Sequence, residues 1–275
     1  MIVYFHRYIV AHKNKENYSP YKARKEKAGI SLKGQVVGSR RDFKPEKIYS
    51  VDEANDRFAD IFRNHEFSCS HEERKKLAEF YCLLMKNQEQ QNFTRLLKLK
   101  DVAIKHYIDS MIVAELVDLK FPLMDVGTGP GFPGIPLKIR YKKEKILLAE
   151  GVQKRVEFLK AAREELKLEN LDIIGRNINE HFVYPVQSVI TRAVEDIPNT
   201  LRNVLSCVQE GGYVYFMKGP GVDSEIKMAE GLKEFYKLEK DITYDLKHTE
   251  NHRRLVVYRK IKNAPLPEDP DEEVE

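Results

Sequence analysis

Apolar residues recur in two different patterns along the middle of the chain. Between residues 51 and 119 they return every three or four positions, which is typical of amphipathic helices. The pattern predicts one helix from about Val51, a second from His71 and a third over 100–119. Ser70 and Glu73 fit a capping box, in which the serine is the N-cap and the glutamate reaches back to its N–H.

From residue 121 onward, short apolar runs alternate with amphipathic stretches. The runs predicted to be strands lie at 123–126, 146–149, 171–174, 188–191 and 213–217. The helices predicted after or between them lie near 134–142, 153–167, 199–209 and 223–235. This alternation favours a parallel sheet with helices on both faces. Two last apolar runs, 238–246 and 255–261, have no room for a helix between them, so we predict an antiparallel hairpin that closes the edge of the sheet.

Charge is distributed unevenly, although the whole chain of 275 residues has a formal net charge of only +4. Residues 1–50 carry 12 Lys and Arg against four Asp and Glu, and the last 12 residues carry six acidic side chains and no basic one. We therefore predict four segments, namely a basic, disordered extension over 1–50, a helical annex over 51–120, an α/β domain over 121–262 and an acidic tail over 263–275.

Composition excludes several classes of protein. No uncharged apolar run reaches the roughly 18–20 residues of a membrane span, and the N-terminal residues do not follow a signal-peptide pattern. The three cysteines, Cys69, Cys82 and Cys207, are scattered, which indicates neither a disulfide framework nor a metal site. We expect a cytoplasmic protein without a metal and without a membrane partner.

A glycine-rich segment, MDVGTGPGFPG at 124–134, lies between a predicted strand and a predicted helix. Glycines in this position allow a tight turn and a close approach of a nucleotide-like ligand. Glu150 ends the next strand, where an acidic side chain can accept hydrogen bonds from both ribose hydroxyls. Pro133 and Pro136 remove N–H donors from the turn that would bind a pyrophosphate. The segment therefore favours S-adenosylmethionine over a dinucleotide, and a nicotinamide-dependent oxidoreductase stays the alternative.

Short motifs along the rest of the chain resemble, in order, those of the RsmG (GidB) family of 16S ribosomal RNA guanine-N7 methyltransferases. The matching segments are Asn92-Phe93-Thr94, His106-Tyr107-Ile108-Asp109-Ser110, DVGTGPGFPGIP at 125–136, KRVEFL at 154–159, Thr191-Arg192-Ala193, Lys218-Gly219 and RRLVV at 253–257. The chain departs from the family in having no Trp, in Glu150 where Asp is usual, and in Arg254 where His is usual. The first 50 residues and the tail have no counterpart in the family pattern.

The resemblance implies a fold, a cofactor and a substrate. The fold is a Rossmann-like class I SAM-dependent methyltransferase, with a seven-stranded, mostly parallel sheet and an N-terminal helical annex. The implied cofactor-binding residues are Asp125, Gly127, Gly129, Phe132, Glu150, Asn177, Ile178 and Arg192. The implied catalytic residues are Arg192 and Lys218. The implied partner is small-subunit ribosomal RNA or the assembling subunit, bound by a monomer.

Several of these residues also have plainer interpretations. Phe132 could be a core aromatic at the start of a helix, Asn177 a turn residue, and Arg192 one half of a surface ion pair. His106, Asp109 and Ser110 share a helix face, and we expect them to tie the annex to the sheet by hydrogen bonds rather than to form a hydrolase site. For the whole protein, the alternative is a non-catalytic RNA-binding or ribosome-assembly protein on a methyltransferase fold.

Overall fold

The computed structural model describes residues 45, 47–91, 93–192 and 194–263. The predictions for the basic extension before residue 45, for Asn92, for Ala193 and for the acidic tail from residue 264 lie outside the described residues.

The described residues form a seven-stranded sheet in the order β3-β2-β1-β4-β5-β7-β6. Its strands are β1 Leu123–Val126, β2 Ile146–Ala149, β3 Leu171–Ile174, β4 Val186–Arg192, β5 Val208–Lys218, β6 Tyr236–Asp245 and β7 His252–Lys260. The first five run parallel, and β7 pairs antiparallel with both β5 and β6. The prediction of a Rossmann-like, mostly parallel sheet with a C-terminal hairpin is confirmed.

Helices flank the sheet and form the annex before it. They are α1 Val51–Asn64, α2 His71–Gln91, α3 over 99–116, α4 Gly134–Arg140, α5 Gln153–Glu165, α6 Ile197–Asn203 and α7 Asp223–Ala229. The predicted capping box is present, because the Glu73 carboxylate accepts the N–H of Ser70 at 2.7 Å and the Ser70 hydroxyl accepts the N–H of Glu73 at 3.1 Å.

Three helix predictions need correction. The predicted helix near 223–235 is α7, which ends at Ala229 and is followed by a 3₁₀ turn over Glu230–Leu232. The predicted helix over 199–209 is α6, which begins at Ile197 because Asp196 caps it, and which ends at Asn203 because Val208 already pairs with Val186 in the sheet. The predicted single α-helix over 100–119 is α3, whose middle, Ala103–Ile108, is a π-helical segment. No glycine or proline in α3 signals this wider turn, and π-helical turns are frequent at functional sites.

The sheet separates two hydrophobic cores. On one face the strands pack against α1 to α5, so the annex shares the core of the α/β part. On the other face they pack against α6 and α7. Neighbouring residues of β4, such as Val189 and Ile190, point into different cores, as the alternation along a strand requires. In the ranges described, no helix is long and apolar enough to cross a membrane.

Candidate functional site

The glycine segment forms the loop between β1 and α4, at the carboxyl edge of the parallel strands. Gly127, Gly129 and Gly131 have φ of 68°, 61° and 110°, a conformation that L side chains rarely adopt. The N–H of Gly127 donates to the carbonyl of Ala149 at 2.9 Å, which fixes the start of the loop against β2. A Cβ at Gly129 would meet no atom within 4 Å, so the loop borders open space that a ligand can enter.

Asp125 holds this loop from below. One carboxylate oxygen, Oδ2, accepts the N–H of Gly134 at 2.7 Å and the hydroxyl of Thr128 at 2.6 Å. The other, Oδ1, is buried and has no hydrogen-bond partner in the part of the chain that the structure describes. Burial raises the pKa of Asp125 to about 7. Asp125 therefore fixes the loop through hydrogen bonds of Oδ2, while Oδ1 has no partner among the described residues.

Glu150 lies beside the same loop, just beyond the end of β2. Its Oε2 accepts the N–H of Gly129 at 3.0 Å, and its Oε1 accepts the N–H of Val152 at 2.8 Å. The guanidinium of Arg155 lies 3.4 Å from Oε2. A carboxylate has about four acceptor positions, so these two backbone donors and the Arg155 guanidinium leave acceptor capacity for a ribose hydroxyl.

Asn177 and Ile178 follow β3 at the same edge of the sheet. Asn177 is exposed, and its Oδ1 would lie 2.1 Å from a Cβ built on Gly151, so its side chain covers the turn after Glu150. Ile178 is buried in the core under α6 and α7. Their implied role in binding the cofactor stays a prediction.

Arg192 ends β4 and joins the sheet to the annex. Its Nη1 donates to the carbonyl of Lys105 at 3.1 Å and to Asp109 at 3.3 Å. Its Nη2 donates to Nδ1 of His106 at 3.0 Å. A guanidinium has five N–H groups and these contacts use three, so two have no partner among the described residues. The predicted hydrogen bonds between annex and sheet are present at His106 and Asp109, whereas the hydroxyl of Ser110 has no partner among the described residues.

His106 is held in one protonation state. Burial, and then the charge of Arg192, place its pKa well below the usual 6.5. A guanidinium can only donate, so Nδ1 of His106 is the acceptor and Nε2 carries the hydrogen, which points to the Thr94 hydroxyl at 2.9 Å. The neutral ring leaves Arg192 as the positive group of this pair.

Phe132 lies under these groups. It is 3% exposed, its ring stacks on His106 at 4.1 Å between centroids, and the Arg192 guanidinium lies 5.5 Å from its centroid. The structure thus places Phe132 in the floor of the site, where it supports two polar side chains.

A pocket of about 400 Å³ opens over Arg192 and Lys218, at the ends of β4 and β5. Lys218 also lines it, but its Nζ donates to the carbonyl of Glu195 at 2.6 Å and pairs with Glu225 at 2.8 Å. The two predicted catalytic residues therefore face one pocket. Lys218 is held there by the Glu195 carbonyl in the loop after β4 and by Glu225 of α7.

Sequence reasoning missed Arg253 as a site residue. Its Nε donates to Oδ1 of Asp109 at 3.1 Å, so one buried carboxylate links the two arginines of β4 and β7. Arg253 was noticed only as part of a motif. The one signal that could have found it is that β7 runs antiparallel to β5, which brings its first residues to the carboxyl edge of the parallel strands.

Comparison with known proteins identifies close relatives. The family model of rRNA small subunit methyltransferase G matches residues 73–256. "Ribosomal RNA small subunit methyltransferase G 2" of Bdellovibrio bacteriovorus is 65% identical over 235 residues, which are 85% of this chain and 92% of that protein. "Ribosomal RNA small subunit methyltransferase G" of Carboxydothermus hydrogenoformans is 36% identical over 73% of this chain and 89% of that protein.

The alignment with the Bdellovibrio protein, at 235 residues, is longer than the segment 51–275, so it also includes part of the first 50 residues. The family model itself begins at residue 73 and ends at residue 256.

Among solved structures, the chain is similar to a protein from Listeria monocytogenes whose name calls it a putative class I S-adenosylmethionine-dependent methyltransferase. The match covers 80% of this chain and 90% of the Listeria chain, with 14% identity and a TM-score of 0.48.

Proposed function

Because the chain belongs to the rRNA small subunit methyltransferase G (GidB) family, we propose that it transfers the methyl group of S-adenosylmethionine to N7 of a guanine in small-subunit ribosomal RNA. The enzyme class and the cofactor follow from the family. The observation that supports the assignment to this site is the position of Arg192, which lines the pocket at the ends of β4 and β5 and has two N–H groups without a partner among the described residues.

The residues around the loop fit S-adenosylmethionine. The open space over Gly129 admits a ligand, the remaining acceptor positions of Glu150 suit a ribose, and the exposed Val152 offers an apolar surface next to Glu150. The unsatisfied Oδ1 of Asp125 lies below the same loop. When bound, the cofactor supplies an electrophilic methyl group on a positively charged sulfur.

The chemistry needs orientation more than acid–base catalysis. Guanine N7 has an in-plane lone pair and no proton, so a methyl–nitrogen bond forms while the methyl–sulfur bond breaks, and the positive charge passes to the purine. No proton has to be removed, which suits a site whose histidine is buried and neutral. What the protein must supply is alignment of the two reactants and exclusion of water, which together account for large rate effects.

Arg192 is the residue we assign to this alignment. Its free donors can hold an acceptor such as guanine O6 or a phosphate, and Asp109, His106 and the Lys105 carbonyl fix its direction. Lys218 lines the same pocket, with its ammonium group paired to Glu225. Asn177, Ile178 and Phe132 complete the proposed cofactor site, the last of them from beneath.

The partner, the compartment and the oligomeric state are part of the same proposal. We assign the protein to the cytoplasm, where it acts as a monomer on ribosomal RNA or on the assembling small subunit. In the ranges described, no group of three or more His, Cys, Asp or Glu could hold a metal ion, and the proposed reaction requires none.

The direct test supplies purified protein with S-adenosylmethionine carrying a labelled methyl group and with small-subunit RNA. We expect 7-methylguanosine in the digested RNA, and Arg192→Ala should abolish it. Cofactor binding by the wild-type protein without transfer to RNA or to small subunits would instead favour the non-catalytic RNA-binding alternative. Transfer to another base atom would overturn the N7 assignment.

A further inference from the structure

A second, larger pocket of about 700 Å³ lies on the annex, between the start of α1 and the segment that leads into α3. Its lining contains five basic side chains, namely Lys47, Arg57, Arg95, Lys98 and Lys100. It also contains two acidic ones, Asp60 and Asp101. The proposed reaction uses none of these residues.

The two acidic residues are engaged with cations outside this lining. Asp60 pairs with Arg63 at 3.2 Å, and Asp101 pairs with Lys105 at 3.0 Å. They therefore do little to balance the basic side chains of the pocket.

Four of the basic side chains form no ion pair within the part of the chain that the structure describes. In the described ranges, no carboxylate lies within ion-pairing distance of Arg57, Arg95, Lys98 or Lys100, and all four residues are exposed. Like charges held together raise the local potential and attract a polyanion. A sugar–phosphate backbone, with one charge per nucleotide, can contact several of them at once.

An aromatic ring lies among these charges. The Nζ of Lys47 and the guanidinium carbon of Arg57 each lie 4.5 Å from the centroid of the Tyr49 ring, which is partly exposed. Cations interleaved with an aromatic ring are typical of surfaces that bind single-stranded nucleic acid, where bases stack and phosphates pair.

The annex pocket is adjacent along the chain to the pocket over Arg192. Arg95 and Leu97 line the annex pocket, and Leu96 between them lines the other one. Asp101 lines the annex pocket and Lys105 lines the pocket over Arg192, and these two side chains form an ion pair. A strand that places a base over Arg192 therefore has a positively charged path across residues 95–105.

We propose that the annex pocket binds the sugar–phosphate backbone of the ribosomal RNA strand next to the methylated guanine. This inference rests on the proposed function. It assigns the annex a role in substrate binding, whereas the glycine loop binds the cofactor.

The test replaces Arg57, Arg95, Lys98 and Lys100 together by Gln in the full chain. A matched control replaces four exposed lysines elsewhere that have no ion pair within the described part, namely Lys160, Lys233, Lys237 and Lys240. Both variants lose the same net charge. Affinity for naked small-subunit RNA is measured from 50 to 200 mM salt, together with methyl transfer and the affinity for S-adenosylhomocysteine.

We expect the pocket variant to bind RNA about tenfold more weakly or worse, with the slope of log K against log salt reduced by about 1 for each lost phosphate contact. KM for RNA should rise, and cofactor affinity should match the wild type. The control should change the slope by less than half as much. Should the fourfold variant unfold, Arg57→Gln and Lys98→Gln separately should each reduce the slope by about 1.

The outcomes separate the two proposals. Wild-type protein that transfers no methyl group to RNA contradicts the proposed function. If the wild-type protein transfers methyl groups and the pocket variant keeps the wild-type slope of log K for RNA against log salt, only the present inference is overturned. If the pocket variant binds naked RNA normally but no longer methylates small subunits, the pocket binds a protein of the subunit. This result would also overturn the inference.

Discussion

Replacing Asp109 by Asn tests the geometry around Arg192 directly. The Asp109 side chain is 4% exposed and accepts hydrogen bonds from Arg192 at 3.3 Å and from Arg253 at 3.1 Å. Asparagine has nearly the same shape, but it removes the charge and presents an NH₂ group to one of the two guanidinium groups. Two cations then face each other across a neutral amide.

The expected cost follows from burial. Removing one partner of a buried ion pair costs about 3–5 kcal/mol when the other charge stays buried. Arg192 and Arg253 are 17% and 24% exposed, so water offsets part of that cost. We therefore expect a loss of about 2–3 kcal/mol in the free energy of unfolding.

The effect on activity should be separable from the effect on stability. If Arg192 shifts by about 1 Å, methyl transfer should slow by about 100-fold. Most of this loss should lie in kcat, because phosphate contacts elsewhere still bind the RNA. Urea unfolding measures the first effect, and single-turnover methyl transfer at a temperature where the variant is folded measures the second.

Asp172→Asn is the matched control, because Asp172 pairs with Lys145 on the partly exposed edge of the sheet, with side-chain exposures of 48% and 35%. We expect this control to lose no more than about 1 kcal/mol and to retain its transfer rate. A folded Asp109→Asn protein that transfers methyl groups at the wild-type rate would refute the positioning role of Asp109.

Three further predictions concern the loop and the ends of the chain. Gly127→Ala should weaken S-adenosylhomocysteine binding, measured by calorimetry, because φ is 68° there and a Cβ would lie 2.4 Å from Val194. Gly231→Ala is the control and should leave binding unchanged, because a Cβ at Gly231 would have free space. Burial raises the pKa of Asp125 to about 7 from an ordinary 3.8, so the folded state binds this proton more tightly than the unfolded state, and stability is lost as the pH rises between these values. The free energy of unfolding should therefore fall less between pH 5 and 7 in Asp125→Asn than in the wild type. A fall equal to that of the wild type would contradict the raised pKa of Asp125. Residues 1–44 contain 11 Lys and Arg against three acidic residues, so removing them should weaken RNA binding and its salt dependence without changing cofactor affinity. Unchanged RNA affinity would contradict a role of residues 1–44 in RNA binding.

The central strands were predictable because each is short, apolar and bounded by turn residues. The predicted bounds of β1, β2 and β3 agree with the structure, whereas β5 begins five residues earlier than predicted, at Val208. Gly211 and Gly212 interrupt its apolar pattern, and Gly211 has a φ of 82°. They lie in an irregular stretch between the pairs that Val208 and Tyr213 form with β4, so this part of the sequence resembles a turn.

The site was predictable where its residues are neighbours in the sequence and unpredictable where tertiary packing joins them. Gly127 and Glu150 could be placed because they end adjacent parallel strands. His106 and Asp109 could be placed on one helix face, but their partner could not be identified from that face. The contact between Asp109 and Arg253 joins residues 144 positions apart, and no local pattern records it.

The position of β7 has a consequence for synthesis on the ribosome. A chain emerging from its N-terminus completes β5 and then β6, yet β6 pairs with β7 and not with β5. Until residues 252–260 emerge, the edge of β5 stays unpaired and β6 has no partner in the sheet. The same late strand carries Arg253 to Asp109. Asp109 therefore cannot bind both arginines until this last strand has emerged.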